Sequence, residues 1–206
     1  MCYHLLMLPK LFREFAKLFS CHGYRLYLIG GSSRDYLLGL PIADYDFATD
    51  ATPEQMKLFL PAADYSFARY GSVKIWREGQ EIDITTLRLE GGYRDHRHPS
   101  EIAWTSDPKL DSVRRDFTIN ALYIDSQEHI LDYHDGLADL AAKQIRFIGD
   151  PTIRVQEDPL RILRAKRFAK RLGFQIEEAS EKAIEENLHL LDKLNPAKIE
   201  MEKRKE

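Results

Sequence analysis

The sequence is poor in the features that mark extracellular or membrane proteins. It holds two cysteines, Cys2 and Cys21, in 206 residues. A small secreted domain stapled by disulfides needs more, so the chain reads as cytoplasmic, from a reducing compartment. Cys2, His4, Cys21 and His22 match no common zinc spacing. No apolar run is long enough for a bilayer span. The stretch MCYHLLMLPKLF is followed at once by Lys10 and Arg13 and lacks the small-residue cleavage site of a signal peptide, so neither a leader nor a span is expected. Internal repeats and low-complexity tracts are also missing, which excludes solenoids and long disordered linkers.

Nor is there a bulk excess of one charge. The formal net charge is −3, so composition alone does not point to nucleic acid. The charge is instead segregated. Ala141 to Arg171 carries nine Lys/Arg against three Asp/Glu, a surplus of six in 31 residues, and the rest is net acidic. The hydrophobic content of 44% suffices for a packed core.

Leu11, Phe12, Phe15, Leu18 and Phe19 recur at helical spacing over residues 9–21, with Gly23 as the stop. Tyr24 to Ile29 reads as a buried strand closed by Gly30-Gly31, followed by a short helix from Arg34 to Leu38. Asp44 to Ala48 reads as a second strand. Thr52-Pro53-Glu54-Gln55 has the form of a capping box with proline at the first helical position. Val73–Trp76 and Gln80–Leu87 form a hairpin turning at Glu78-Gly79. Residues 90–110 show no period and read as a mobile, poorly ordered loop. Phe117 to Ile124 reads as another strand. After Asp135-Gly136 a short strand at Gln144–Ile148 gives way to helices: Pro159–Leu172 stopped by Gly173, Ser180–Leu191, and one starting at Pro196.

Three polar clusters interrupt this apolar framework. In ADYDFA, alternation on a strand projects Asp44 and Asp46 to one side. Two carboxylates so placed can hold Mg²⁺, and two-metal phosphoryl-transfer sites use such pairs. A solvated acidic turn would read the same in isolation. The preceding Gly30-Gly31-Ser32, between a strand and a helix, supplies backbone amides suited to a phosphate, and Arg34 could pair with it. Asp83 in EIDITTLR could add a third carboxylate or be a strand-edge charge. In RRDFTINA, Arg114 and Arg115 can neutralise phosphates, Asp116 can accept from a ribose hydroxyl, and Asn120 can bond either. In EDPLRILRAKRF, Asp158, Arg161 and Arg164 share a helix face. Asp158 is placed to cap the helix opened by Pro159. Beside Arg161 it also matches an amino donor next to a ring-nitrogen acceptor, the edge shared by cytosine and adenine and reversed in uracil and guanine.

These stretches, with DYHDGLADL, occur in one order over residues 24–176. They resemble the CCA-adding tRNA nucleotidyltransferases of bacteria and eukaryotes and the bacterial poly(A) polymerases, a branch of the polymerase-β-like nucleotidyltransferases. The resemblance implies an α+β fold: a head with a mixed sheet and flanking helices at 1–137, then an all-helical neck at 138–206. It implies that Asp44 and Asp46 hold catalytic Mg²⁺, to which the residues alone add Asp83 as a candidate. It implies nucleotide contacts by Gly31, Arg34 and Arg115, to which the residues alone add Gly30, Asp116 and Asn120. Asp158 and Arg161 would read the base, and Arg164 and Arg167 would help hold the triphosphate. The implied reaction adds CMP and AMP from CTP and ATP to the 3′ end of tRNA, releasing pyrophosphate. Alternatives are poly(A), CC-only or A-only addition, or a truncated RNA- and nucleotide-binding core of weak activity.

Three departures from the family pattern stand out. Ser33 replaces a valine. His98 stands where the loop before RRD usually has an arginine. The chain stops at EMEKRKE, where family members continue into further helical domains.

Overall fold

The computed structural model describes residues 7–93 and 99–204. The elements follow in the order α1 (Lys10–Cys21), β1 (Leu26–Leu28), α2 (Gly30–Leu37), β2 (Tyr45–Thr49), α3 (Pro53–Met56), β3 (Ser72–Arg77), β4 (Gln80–Thr86), β5 (Arg88–Tyr93), β6 (Pro99–Trp104), α4 (Pro108–Ser112), β7 (Leu122–Ile124), β8 (Ile130–Asp132), α5 (Gly136–Ala142), β9 (Gln144–Ile145), α6 (Pro151–Glu157), α7 (Leu160–Leu172), β10 (Gln175–Ile176), α8 (Glu178–Glu186) and α9 (Pro196–Lys203). They fall into two compact units. The first comprises residues 1–89, 102–112 and 120–133, and the second comprises 90–101, 113–119 and 134–206. Among the described residues no helix is long and apolar enough to cross a membrane.

The first unit is built on a mixed sheet of order β3-β4-β2-β1-β7-β8. Its pairings are antiparallel except β2 with β4. Strand alternation divides its side chains between two faces. Leu26, Leu28, Phe47, Val73, Ile82 and Ile84 join one buried cluster with the apolar stripe of α1. The Phe12 and Phe47 rings meet edge to face at 5.3 Å. Tyr27, Ile29, Ala48, Leu87 and Tyr123 form a second cluster. The helix-period reading of residues 9–21 holds, with Gly23 at φ +82° after the last turn. So does the hairpin, because Glu78 and Gly79 both take positive φ and match the twist of the flanking strands. The Thr52–Gln55 capping box is fully formed.

Several expected boundaries move. Helix α2 begins at Gly30, four residues early, so the glycines form its first turn. Asp44 precedes β2 instead of opening it. Within 90–110, expected to lack structure, residues up to Tyr93 and from Pro99 to Trp104 are strands, and α4 follows. Residues 94–98 of that stretch lie outside the described residues. Phe117–Ile124 is not one strand. A 3₁₀ turn at Thr118–Asn120 precedes β7.

From residue 134 onward the second unit is mainly helical, with the short parallel pair β9–β10; its 90–101 segment carries most of the paired strands β5 and β6. Its core gathers Phe117, Phe147 and Phe168, with centroids 5.0 Å and 5.7 Å from Phe117. Helix α6 was not foreseen. Asp150 caps it by accepting from the Thr152 and Ile153 amides, and Pro151 sits at its first position. Helix α7 ends at Gly173 in the left-handed conformation, as the sequence indicated.

Candidate active site

The acidic site belongs to the first unit. In the parallel pairing of β2 with β4, Asp46 lies opposite Asp83, and in the antiparallel pairing of β3 with β4, Lys74 lies opposite Asp83. Because Phe47, Ile84 and Val73 face α1, alternation turns Asp46, Asp83 and Lys74 to the other side as one row across three strands. Asp46 is half-buried and Asp44 exposed.

The backbone around Asp46 is held from several directions. The Ser32 hydroxyl donates to the Asp44 carbonyl at 2.9 Å and accepts from the Asp46 amide at 2.7 Å. The Ile29 amide donates to the Asp46 carbonyl at 3.0 Å. The Gly31 amide, at the start of α2, donates to Asp46 Oδ2 at 3.2 Å. The helix N-terminus therefore serves the carboxylate first, where sequence reading had given it to a phosphate. Gly30 is required twice over: its φ is +64°, and a Cβ there would come 2.9 Å from Asp46 Oδ2.

Asp83 accepts from the Ser72 hydroxyl at 2.7 Å and lies 4.0 Å from Lys74 Nζ, which also pairs with Glu81. Burial pushes its carboxyl above the usual range, opposed by the Ser72 hydrogen bond and by Lys74. Among the described residues no three His, Cys, Asp or Glu side chains converge to hold a metal ion. The donor set at Asp44 and Asp46 nonetheless suits Mg²⁺, which takes hard oxygens and is commonly held by one or two carboxylates, with waters and substrate phosphates completing its shell.

Arg34, expected to reach a phosphate, is only 1% exposed. Its guanidinium donates to Asp35 Oδ1 at 2.8 Å and to Asn120 Oδ1 at 2.9 Å. Arg34 and Asn120 are thus bonded to each other beneath the glycine turn.

The basic cluster belongs to the second unit. Its RRD segment runs antiparallel to residues 146–148: the Thr118 amide donates to the Arg146 carbonyl and the Ile148 amide to the Asp116 carbonyl. Arg114 pairs with Glu90 at 3.4 Å, and Arg115 is partly exposed. Asp116 pairs with Arg164 at 2.5 Å, so these two candidates meet each other. Asp158 Oδ1 accepts from the Leu160 amide at 3.1 Å, so the capping role is real. Arg161, 6% exposed, donates to Glu157 Oε2 at 2.9 Å and to the Arg154 carbonyl at 2.7 Å. Arg167 donates through Nε and Nη2 to Glu202 Oε1 on α9, at 3.1 Å and 2.8 Å. The sequence reading missed Ser32, Ser72, Lys74 and Arg154. Only Ser32 carried a signal, as a small hydroxyl in a turn between a strand and the D-x-D pair.

The Poly A polymerase head domain family matches residues 26–146. The chain belongs to that family. It is similar to the CCA-adding enzyme of Bacillus pumilus, 43% identical over 185 residues covering 88% of this chain and 46% of that protein. The CCA-adding enzyme of Enterococcus faecalis is 42% identical over 199 residues, 95% of this chain and 49% of that one. Among solved structures, the Bacillus stearothermophilus CCA-adding enzyme in complex with CTP superposes with a TM-score of 0.83 at 33% identity, over 92% of this chain and 46% of the other. A tRNA nucleotidyltransferase complexed with a primer tRNA and an incoming ATP analogue gives 0.74 at 31% identity, over 92% and 54%. The α+β fold with a mixed sheet follows from these likenesses. The chain spans about half the length of the curated relatives it matches.

Proposed function

We propose that the chain is the catalytic and nucleotide-selecting part of a template-independent enzyme that adds CMP and AMP to the 3′ end of tRNA. The observation that carries this reading is the row Asp46–Asp83–Lys74 across β2, β4 and β3, with the Asp46 carboxylate accepting from the Gly31 amide at the start of α2. A carboxylate fixed by main chain on a strand, with Asp44 two residues before it, is what phosphoryl transfer by in-line attack requires. Asp44 and Asp46 would hold Mg²⁺, which supplies activation of the attacking 3′-hydroxyl and charge neutralisation on the phosphates. Asp83 lies beside Asp46 as a further acceptor. Gly30 and Gly31 keep the space above Asp46 clear, and Arg34 with Asn120 supports that turn.

In the second unit Arg115 and Arg164 would neutralise the triphosphate, and Asp116 would orient Arg164 and accept from the ribose. Asp158 and Arg161 would present an acceptor beside a donor to the base edge, admitting CTP and ATP and repelling UTP and GTP. Arg167 enters the reading as the partner of Glu202, with a phosphate contact as its second role. We assign residues 1–137 to a catalytic head and 138–206 to a nucleotide-selecting neck, working in the cytoplasm. Addition of poly(A) or of CC alone draws support from the same residues, and product sequencing separates these outcomes.

The test is incubation of the protein with Mg²⁺ and tRNA lacking its last three nucleotides, offering each nucleoside triphosphate singly and in pairs and sequencing the 3′ ends. Incorporation of C then A is expected. Incorporation of all four nucleotides alike, or of none, would refute the assignment. Asp158→Ala should lower selectivity for CTP and ATP by about one to two orders of magnitude, since an unpaired buried group costs roughly 1–3 kcal/mol. Loss of the cap alone would reduce stability by about 0.5–2 kcal/mol with the four ratios unchanged.

A further inference from the structure

We propose that Arg154 is a positioning residue that locks the base-reading side chains to the RRD segment. The inference rests on the nucleotide-selecting reading of the second unit given above. Arg154 lies on α6 and is 8% exposed. Its Nη2 donates to the main-chain carbonyls of Arg114 at 2.7 Å and Arg115 at 2.8 Å. Its Nη1 donates to Glu157 Oε2 at 2.6 Å. The same carboxylate oxygen accepts from Arg161 Nη1 at 2.9 Å. The Arg154 carbonyl also accepts from Arg161 Nη1, at 2.7 Å, and from the Asp158 amide at 3.3 Å.

One residue thus grips the main chain of the RRD segment at its guanidinium end. At its carbonyl end it grips Asp158 and Arg161. The planar fork is what makes this possible. Two carbonyls and a carboxylate are met at once in fixed directions, which a lysine ammonium on a flexible stem cannot reproduce. These are charge-assisted bonds in a mostly buried setting, so their geometry is held firmly. Discrimination by an acceptor–donor pair depends on its register with a nucleotide bound at Arg115. Arg154 sets that register while touching no nucleotide itself.

The experiment measures binding of CTP, ATP, UTP and GTP, with Mg²⁺, to the full chain and to Arg154→Lys, at a temperature where both are folded. The wild type should prefer CTP and ATP. Arg154→Lys should cut the CTP-to-UTP affinity ratio about tenfold, the worth of one or two charge-assisted hydrogen bonds. Adding Arg161→Lys should cut it little further, since both changes break one network. If Arg154→Lys only lowers the melting temperature, or weakens all four nucleotides equally, Arg154 is merely structural and the proposal is overturned. A wild type that binds the four alike overturns the base-reader reading and this inference with it. A selective wild type with an equally selective variant overturns the inference alone. Amide exchange on the unaltered protein provides a readout independent of the variant. CTP should slow exchange at Arg114–Asp116 and Glu157–Arg161 together, and protection confined to one segment defeats the coupling.

Discussion

The acidic site and the basic cluster are both polar, yet they are built by opposite means. Asp46 is fixed by main chain: strand register with β4, the Gly31 amide, the Ser32 hydroxyl joining the Asp44 carbonyl to the Asp46 amide, and a glycine whose missing Cβ makes room. The arginines are fixed by other side chains. Glu157 serves Arg154 and Arg161, Asp116 serves Arg164, and Glu202 serves Arg167. The acidic site is held largely by main-chain groups, which have few alternative partners, whereas the arginines are held by side-chain carboxylates, which can exchange partners.

The comparison can be broken at several points. The largest effect is expected from Asp46→Ala, which removes a group that no neighbour replaces. Incorporation of every nucleotide should fall by about a thousandfold or more while the circular dichroism spectrum and melting temperature stay near wild type. Near-normal turnover would dissolve the assignment. Next comes Arg167→Ala. Arg167 and Glu202 are each about nine-tenths buried, and breaking such a pair costs about 3 kcal/mol. Urea unfolding should register this loss, and a cost below about 1 kcal/mol would mean that side-chain pairing is not what fixes the basic cluster.

Gly30→Ala should cost about 1–3 kcal/mol and depress incorporation, because a Cβ at positive φ meets Asp46. Gly31→Ala should be close to neutral, since its Cβ would meet Asp46 Oδ2 and Arg34 Nη2 only at 3.5 Å and 3.6 Å. Equal effects at the two glycines would contradict the main-chain account.

The smallest effect concerns Asp83. Its folded-state pKa is raised, chiefly by burial. Its contribution to stability is therefore fully present below the unfolded value near pH 4 and fades as pH rises through the folded value. Comparing melting temperatures of wild type and Asp83→Asn from about pH 4 to pH 7, the balance should shift toward the variant as pH rises. A constant difference would argue that Ser72 and Lys74 cancel the burial.

What could be read from the sequence divides along the same line. The stripe of α1, the Glu78-Gly79 hairpin, the Thr52 capping box and the Asp158 cap were all legible, because each depends on residues within a turn or two of one another. The start of α2 was misread because Gly-Gly normally signals a break, and only the approach to Asp46, 15 residues on, shows why glycine belongs in a helix there. Helix α6 carried the same signal as α3, a capping oxygen before proline at Asp150-Pro151, and was legible in principle. The strands within 88–104 were hidden by Gly91, Gly92, Pro99 and the glutamates Glu90 and Glu101, residue types depleted in strands. Glu157 lies within four residues of Arg154 and Arg161 and was within local reach, but the distant partners were not. Glu202 is 35 residues from Arg167, and nothing in EDPLRILRAKRF points to it.

The lone parallel pairing in the main sheet has a consequence for synthesis. β1 and β2 can join as an antiparallel pair once residue 49 has emerged, but β2 cannot meet β4 until residue 86 is available. Until then the strand carrying Asp46 has an open edge, a template for pairing with the wrong chain. Charges on or beside an open strand oppose such pairing, and Asp46 on β2 with Asp44 and Asp50 at its two ends are so placed. The carboxylates proposed to serve the reaction would then guard the growing chain before there is any reaction to serve.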